Sequence, residues 1–521
     1  MATCGHIVWD TIRNNKNNLT ALHETRAPAW VPETEIRGTF SILLTCLVTL
    51  TACVYSAIHL NVPLETGFWH TTTRKAVWVL VALVAPELVV MIAMLQFYVA
   101  WETLSKLQRL QKNTEADRFI FDLNYAFFVV MGGVRVHTST LTRFLTSREI
   151  LQLQQWHHAG VFGKSWSDRP SWELTPEGLL DLARLGHWLY ISPQRINDRS
   201  KADSLQKGLV LLQVSWMLAS CVARKAYGLP LTLLEVHTTV HVVCAFVMYA
   251  LWFKKPVDVR EPEVLDCTAD REDVIAYLCQ RCLSESLQFA PRHNGNNTEE
   301  NTSACECGEM HRVHVSGTGA KAYDAERDLS KHQRWHAAAR AAQAVDPSRS
   351  EIECSWLPGS FRPRSAIFSN YFSGSNNTSF TMWGSLLNLC VVPILYGGIH
   401  LIAWASDFPS DVERLLWRGS SISIMSTLLA LPWTLAVVDF RDNGCRDWLE
   451  NKIIYHDRIR SVIKWAVTVP VTLILWLAAS AVLLASIVGR FYLVIEAFIS
   501  LRAVPVGAYW VPSWLKYIPH V

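Results

Sequence analysis

Apolar residues gather along this chain into runs of about 20, separated by long polar connections. A helix needs about 20 apolar residues to cross a hydrocarbon core about 30 Å thick, so each run predicts a membrane span. The clearest is Leu231–Phe253, LTLLEVHTTVHVVCAFVMYALWF, entered through Gly228-Leu229-Pro230 and closed by Lys254-Lys255-Pro256. The others are Gly38–Leu60, Ala76–Ala100 with Pro86-Glu87 at its centre, Gln206–Val222, Met382–Ala405, about Leu415–Val438, and a last run beginning near Val462. The expected fold is therefore all-α, a polytopic transmembrane helix bundle of about seven spans with two long polar helical cytosolic connections. Phe119–Val136 is also apolar, but Asp122, Asn124 and Gly132-Gly133 interrupt it, which predicts an interfacial or re-entrant helix, with a further span as the alternative.

The same pattern divides the chain. Residues 1–37 form a polar N-terminal segment, 38–100 hold spans one and two, and 101–205 are a cytosolic helical connection. Residues 206–253 form a hairpin of spans three and four, 254–381 a second, partly disordered cytosolic region, 382–488 spans five to seven, and 489–521 an amphipathic extension. Thr175-Pro176-Glu177 and Ser192-Pro193 read as helix starts, a hydroxyl cap before a proline that needs no hydrogen-bond acceptor. Amphipathic helices are expected near Asp270–Leu287 and Ala320–Val345. Lys and Arg crowd the connections after spans two, four and six, which places the amino terminus and both long connections in the cytosol.

Composition agrees with a lipid bilayer as the main partner. Hydrophobic residues make up 50% of the 521, and many of the 22 tryptophans end apolar runs, where an amphipathic ring suits the headgroup zone. A net charge of +3 gives no global field, so no nucleic acid partner is expected. The first 36 residues lack the apolar core of a cleavable signal. Thirteen cysteines follow no regular framework, which argues against a disulfide-stapled ectodomain.

Candidate chemistry lies inside the spans. An ionisable group at that depth costs a few kcal/mol unless it faces a partner or water, so Glu87, Glu235, His241 and His400 are the candidate catalytic residues, with His59 and His237 beside them. A bundle that gathers them makes a polar intramembrane cavity, suited to acid–base chemistry on a hydrophobic small molecule with a buried carboxyl as proton donor. The alternatives are a transport route or channel and interhelical hydrogen bonds that only fix packing. Cys279, Cys282, Cys305 and Cys307, with His311 and His314 nearby, have zinc-ligand chemistry in an unfamiliar spacing; no other cofactor is expected. Sequons at Asn18, Asn296, Asn301, Asn376 and Asn377 matter only in luminal segments. No phosphate-binding loop, nucleophile elbow or HExxH helix is present.

Several motifs occur in a fixed order: Arg37-Gly38-Thr39, His59-Leu-Asn-Val-Pro63, Ala85-Pro86-Glu87, Met131-Gly132-Gly133, Lys201-Ala202-Asp203, Gly228-Leu-Pro-Leu-Thr232 with Glu235, Lys255-Pro256, Tyr396-Gly-Gly-Ile-His400 with Trp404, and Tyr517-Ile-Pro-His520. Together they resemble a large family of uncharacterised multi-pass membrane proteins of filamentous fungi, over nearly the whole chain except about Asp266 to Asn370. The resemblance implies a membrane architecture and a fungal source, and no activity. It takes in His59, Glu87, Glu235, His241 and His400, and leaves His237 the weaker candidate.

Overall fold

The computed structural model describes residues 2–63, 67–114, 119–137, 171–184, 186–198, 204–265, 361–362, 391–406, 408–439 and 457–511. Helices dominate: α1 (Ala2–Asn14), α2 (Leu19–Glu24), α3 (Thr39–Ala57), α4 (Phe68–Val84), α5 (Pro86–Thr114) and α6 (Leu123–Val130) open the chain. They are followed by α7 (Pro176–Arg184), α8 (Pro193–Asp198), α9 (Ser204–Ala226), α10 (Leu233–Leu251), α11 (Val391–Trp404), α12 (Asp411–Asp439) and α13 (Asp457–Ile499). This is a mostly helical, multi-pass integral membrane protein. Four of its described helices, Thr39–Ala57, Pro86–Asn113, Leu233–Leu251 and Leu477–Ala503, are long and apolar enough to cross a membrane. Seven spans were expected, and the number meeting both conditions among the described residues is four.

Contacts fix the direction of the helices around α10. Cys46 of α3 lies against Thr238 near the start of α10, and His59, just past the end of α3, stacks on Trp252 just past its end. The two helices are therefore parallel. Gln213 of α9 reaches Thr49, and the Gly228 turn returns the chain at once, so α9 is antiparallel to both. Gly228 has φ +68°, a conformation open to glycine without strain.

The predicted second span is not one helix. The helix breaks at Ala85 (φ −144°, ψ 67°), before Pro86, which has no N–H to continue the ladder. Lys75 of α4 pairs with Asp258 and lies over Tyr55, both at the far ends of α10 and α3, while the Leu83 carbonyl meets His241 in the middle of α10. Gln96 of α5 is back at that far end, bonded to Trp252 and Lys255. The chain thus enters the bundle along α4, turns at Ala85 and Pro86, and leaves along α5 on the side where it entered.

An all-α fold was expected, and a small four-stranded sheet corrects it. Strands β1 (Val134–His137), β2 (Ser171–Leu174), β3 (Glu263–Val264) and β4 (Phe361–Arg362) lie in the order β3-β1-β2-β4. The apolar stretch 119–136 is the eight-residue α6, a turn at Met131-Gly132, and β1, rather than one helix. Gly132 has φ +77°, and a Cβ there would meet the Glu173 carboxylate at 2.6 Å. Buried Arg135 ties the sheet to the bundle, donating to the carbonyls of Val62 and Pro63 and to Glu173. Its burial lowers its pKa, and Glu173 opposes that shift. Helices α7 and α8 begin at the prolines expected, with Thr175 and Ser192 capping them.

At the opposite end the two terminal segments pack together. Ala27 and Thr25 exchange backbone bonds with Val504 and Val506, and Ile12, Leu22, Val31, Leu501 and Tyr509 share one core with the start of α3. α13 runs through residue 489 without interruption to Ile499, after which the chain follows two short 3-10 turns. Below, these are the terminal end and the sheet end of the bundle.

Candidate functional site

The residues singled out from sequence do not meet in one cavity. They fall into three groups along α10.

Glu235 is at the terminal end. Thr232 caps α10, accepting from the Glu235 amide at 3.2 Å, while Glu235 Oε2 accepts from the Thr232 amide and hydroxyl at 2.9 and 3.0 Å. This is a capping box, Thr-x-x-Glu, and it satisfies helix donors that would otherwise be left bare in an apolar setting. The other oxygen, Oε1, pairs with Arg37 Nη1 at 2.6 Å. Arg224, buried beside them, donates to the carbonyls of Ala508, Pro230 and Trp510. Both carboxylate oxygens of Glu235 are thus engaged in holding structure.

Glu87, His237, His241 and His400 form the second group, in the interior. Glu87 sits in the first turn of α5, where the helix dipole favours a carboxylate, and its Oε1 accepts from Arg490 Nε at 2.8 Å and Nη2 at 2.7 Å. Arg490 also bonds to Ser486 one turn earlier on α13. Glu87 Oε2 and the Tyr396 hydroxyl have no hydrogen-bond partner among the described residues. Glu87 is also within electrostatic reach of Tyr396 and Cys244, which ties it to the histidines through the Tyr396 and His400 rings, 4.7 Å apart.

Partners set the histidine tautomers. His400 Nδ1 faces the Tyr396 carbonyl at 2.9 Å and must carry the hydrogen; its Nε2 is then an acceptor, 3.2 Å from His237 Nδ1. His237 therefore donates from Nδ1, and its Nε2 is a bare acceptor, buried and with no partner among the described residues. His241, whose ring centroid is 4.5 Å from that of His237, points both nitrogens at carbonyls, those of His237 and Leu83 at 3.0 and 2.9 Å. A neutral imidazole can donate to only one of them, so one of the two carbonyls meets a bare ring nitrogen.

His59 belongs to a third group at the sheet end. Its carbonyl, Asn61 Oδ1 and Gln96 Oε1 accept from the Lys255 ammonium at 2.5, 3.1 and 2.7 Å, and the Trp252 ring lies 4.6 Å from Nζ. Burial, with Arg74 adding to it, pushes the Lys255 pKa well below that of an ordinary lysine.

Sequence reasoning did not single out Arg37, Arg490 and Lys255, which the structure places in these three groups. A signal for Arg490 was available, since an Arg inside an apolar run calls for a carboxylate, but Glu496 in the same run competed with Glu87 for that role. The Thr232-x-x-Glu235 spacing likewise signals a cap. Cys279, Cys282, Cys305 and Cys307 lie outside the described residues, and no group of metal-binding side chains occurs among the described ones.

Residues 15–154, 160–288 and 368–521 match the family described as "Family of unknown function (DUF8562)". The chain belongs to this family. The part between the last two segments falls within the stretch where the sequence resemblance also lapses. No curated protein and no solved structure matches the chain.

Proposed function

We propose that this family member is a membrane-embedded acid–base catalyst acting on a small lipophilic molecule, with His237 as the proton acceptor. The bare His237 Nε2 carries the reading. A general base needs one nitrogen held by a neighbour and the other aimed at the proton it takes, and the tautomer order from Tyr396 through His400 supplies that hold. Glu87 and Arg490 provide a fixed charge pair beside it, and proton transfer by these groups needs no cofactor. Glu235, engaged in its cap and with Arg37, holds the helix start instead of donating protons. The connections 101–205 and 254–381 carry the excess of Lys and Arg near the helix ends, so they face the cytosol. The resemblance makes a filamentous fungus the first place to look for the substrate.

One observation favours a second reading. The break at Ala85 places the start of α5, with Glu87 and Arg490, inside the bundle, and discontinuous helices of this kind line substrate and ion sites in secondary transporters. Metabolites extracted from cells carrying wild type, His237→Phe or Glu87→Gln at equal protein levels separate the two. Catalysis at His237 predicts accumulation of a precursor in the His237→Phe strain. An unchanged profile, with the protein present and folded, sinks catalysis and leaves transport standing.

A further inference from the structure

At the terminal end, away from the histidines, a cavity of about 280 Å³ opens between the first turns of α3, the last turns of α9 and the loop before Arg37. Arg37 pairs with Glu235 there and Arg224 lies within electrostatic reach of the same carboxylate, so the inner wall carries two cations against one anion. Arg37 Nη2 and Arg224 Nε are buried without a hydrogen-bond partner among the described residues, and Arg224 is 1% exposed. Leftover guanidinium donors match the oxygens of a carboxylate or phosphate better than those of a neutral group. The rim has the opposite sign, because the exposed Glu33 and Glu35 stand at the mouth. Ile42, Trp216 and Met217 supply apolar wall between the two zones.

We propose that this cavity binds a zwitterionic phosphate ester, with the phosphate on Arg37 and Arg224 and the ammonium at Glu33 and Glu35. Its volume is at the lower limit of small-molecule sites, about 300–1,000 Å³, which suits a head group and excludes a whole lipid. The cavity lies where the apolar run of α3 begins, at headgroup level, and an aminophospholipid there points its phosphate inward and its ammonium outward. A soluble phosphoethanolamine ester presents the same charges. This assignment is independent of the acid–base reading, since none of its residues belongs to the histidine group.

Native mass spectrometry of the full-length protein tests it after incubation with vesicles of equimolar phosphatidylethanolamine and phosphatidylglycerol, and in parallel with glycerophosphoethanolamine. Wild type is expected to retain phosphatidylethanolamine over phosphatidylglycerol by about threefold or more, the ratio that about 0.6 kcal/mol from a rim ion pair provides. Glu33→Lys, at the exposed rim, should erase that preference, and Thr45→Trp, which fills the cavity, should abolish retention. A melting curve for each variant separates loss of the site from loss of the fold. Binding of glycerophosphoethanolamine alone assigns the site to a soluble ester. Equal retention of both lipids by wild type, or retention unchanged in Thr45→Trp, overturns the proposal.

Discussion

At the residue scale the unusual positions were legible and their partners were not. Glu87, Glu235, His241 and His400 stand out because charge and imidazole are costly in an apolar run. What each one does depends on side chains hundreds of positions away, as with Arg490 for Glu87. Glu235 shows how the distinction is measured. Thr232→Ala removes only the hydroxyl of the cap and should cost about 1 kcal/mol. Glu235→Ala also strands the Arg37 charge in a buried setting and should cost about 3–5 kcal/mol, read as a larger fall in melting temperature in detergent. Equal losses for the two variants would show that the ion pair adds nothing beyond the cap. Lys255 gives a pH signature. Its folded pKa is lowered by burial, so above that value the unfolded chain holds more protons than the folded one, and stability rises with pH until both forms are neutral. Relative to Lys255→Met, wild type should therefore gain stability as pH rises toward the ordinary lysine value of 10.5, and lose it as pH falls. A flat difference across that range would show that the three oxygens around Nζ hold the ammonium against burial.

Elements were legible where a local signal sets them and misread where two signals compete. Helices α7 and α8 start at their prolines because the hydroxyl cap is local. The stretch 119–136 has an apolar content that fits helix or strand equally, and only the packing of Gly132 against Glu173 shows where helix gives way to strand. That contact is testable. Gly132→Ala must place a Cβ against the carboxylate in a backbone conformation that L-residues avoid, at a cost of roughly 1–3 kcal/mol. The loss should appear in the melting temperature, and since Glu173 also holds Arg135, protease sensitivity of the segment around Val62 and Pro63 should rise with it. The run 76–100 shows the opposite failure. Length and hydropathy predict a crossing there, Pro86 marks its weak point, and the return of α5 beside α10 depends on Gln96 meeting Trp252 and Lys255, which no local pattern encodes.

For the whole molecule, the break at Pro86 changes which ends of the chain share a side. If residues 76–100 crossed once, the amino terminus and the segment after Lys254 would lie together, as the charge count alone predicts. The contacts place them apart. α3 and α10 run in parallel from the terminal end, where residues 25–37 pack against 503–509, to the sheet end, where Lys255 meets His59 and Glu263 pairs with Gly133. α9 returns the chain between them, and the contacts of α4 and α5 begin and end at the sheet end. Single cysteines in place of Lys16, near the end of α1, and Arg260, beyond α10, should label from opposite sides of sealed vesicles with a membrane-impermeant maleimide. The native cysteines among the described residues outside the first turns of α1, Cys46, Cys53, Cys221 and Cys244, are all buried in the bundle and give little background. Labelling of both positions from one side would mean that α4 and α5 together make a true crossing, and it would remove the interior helix break on which the transport reading rests.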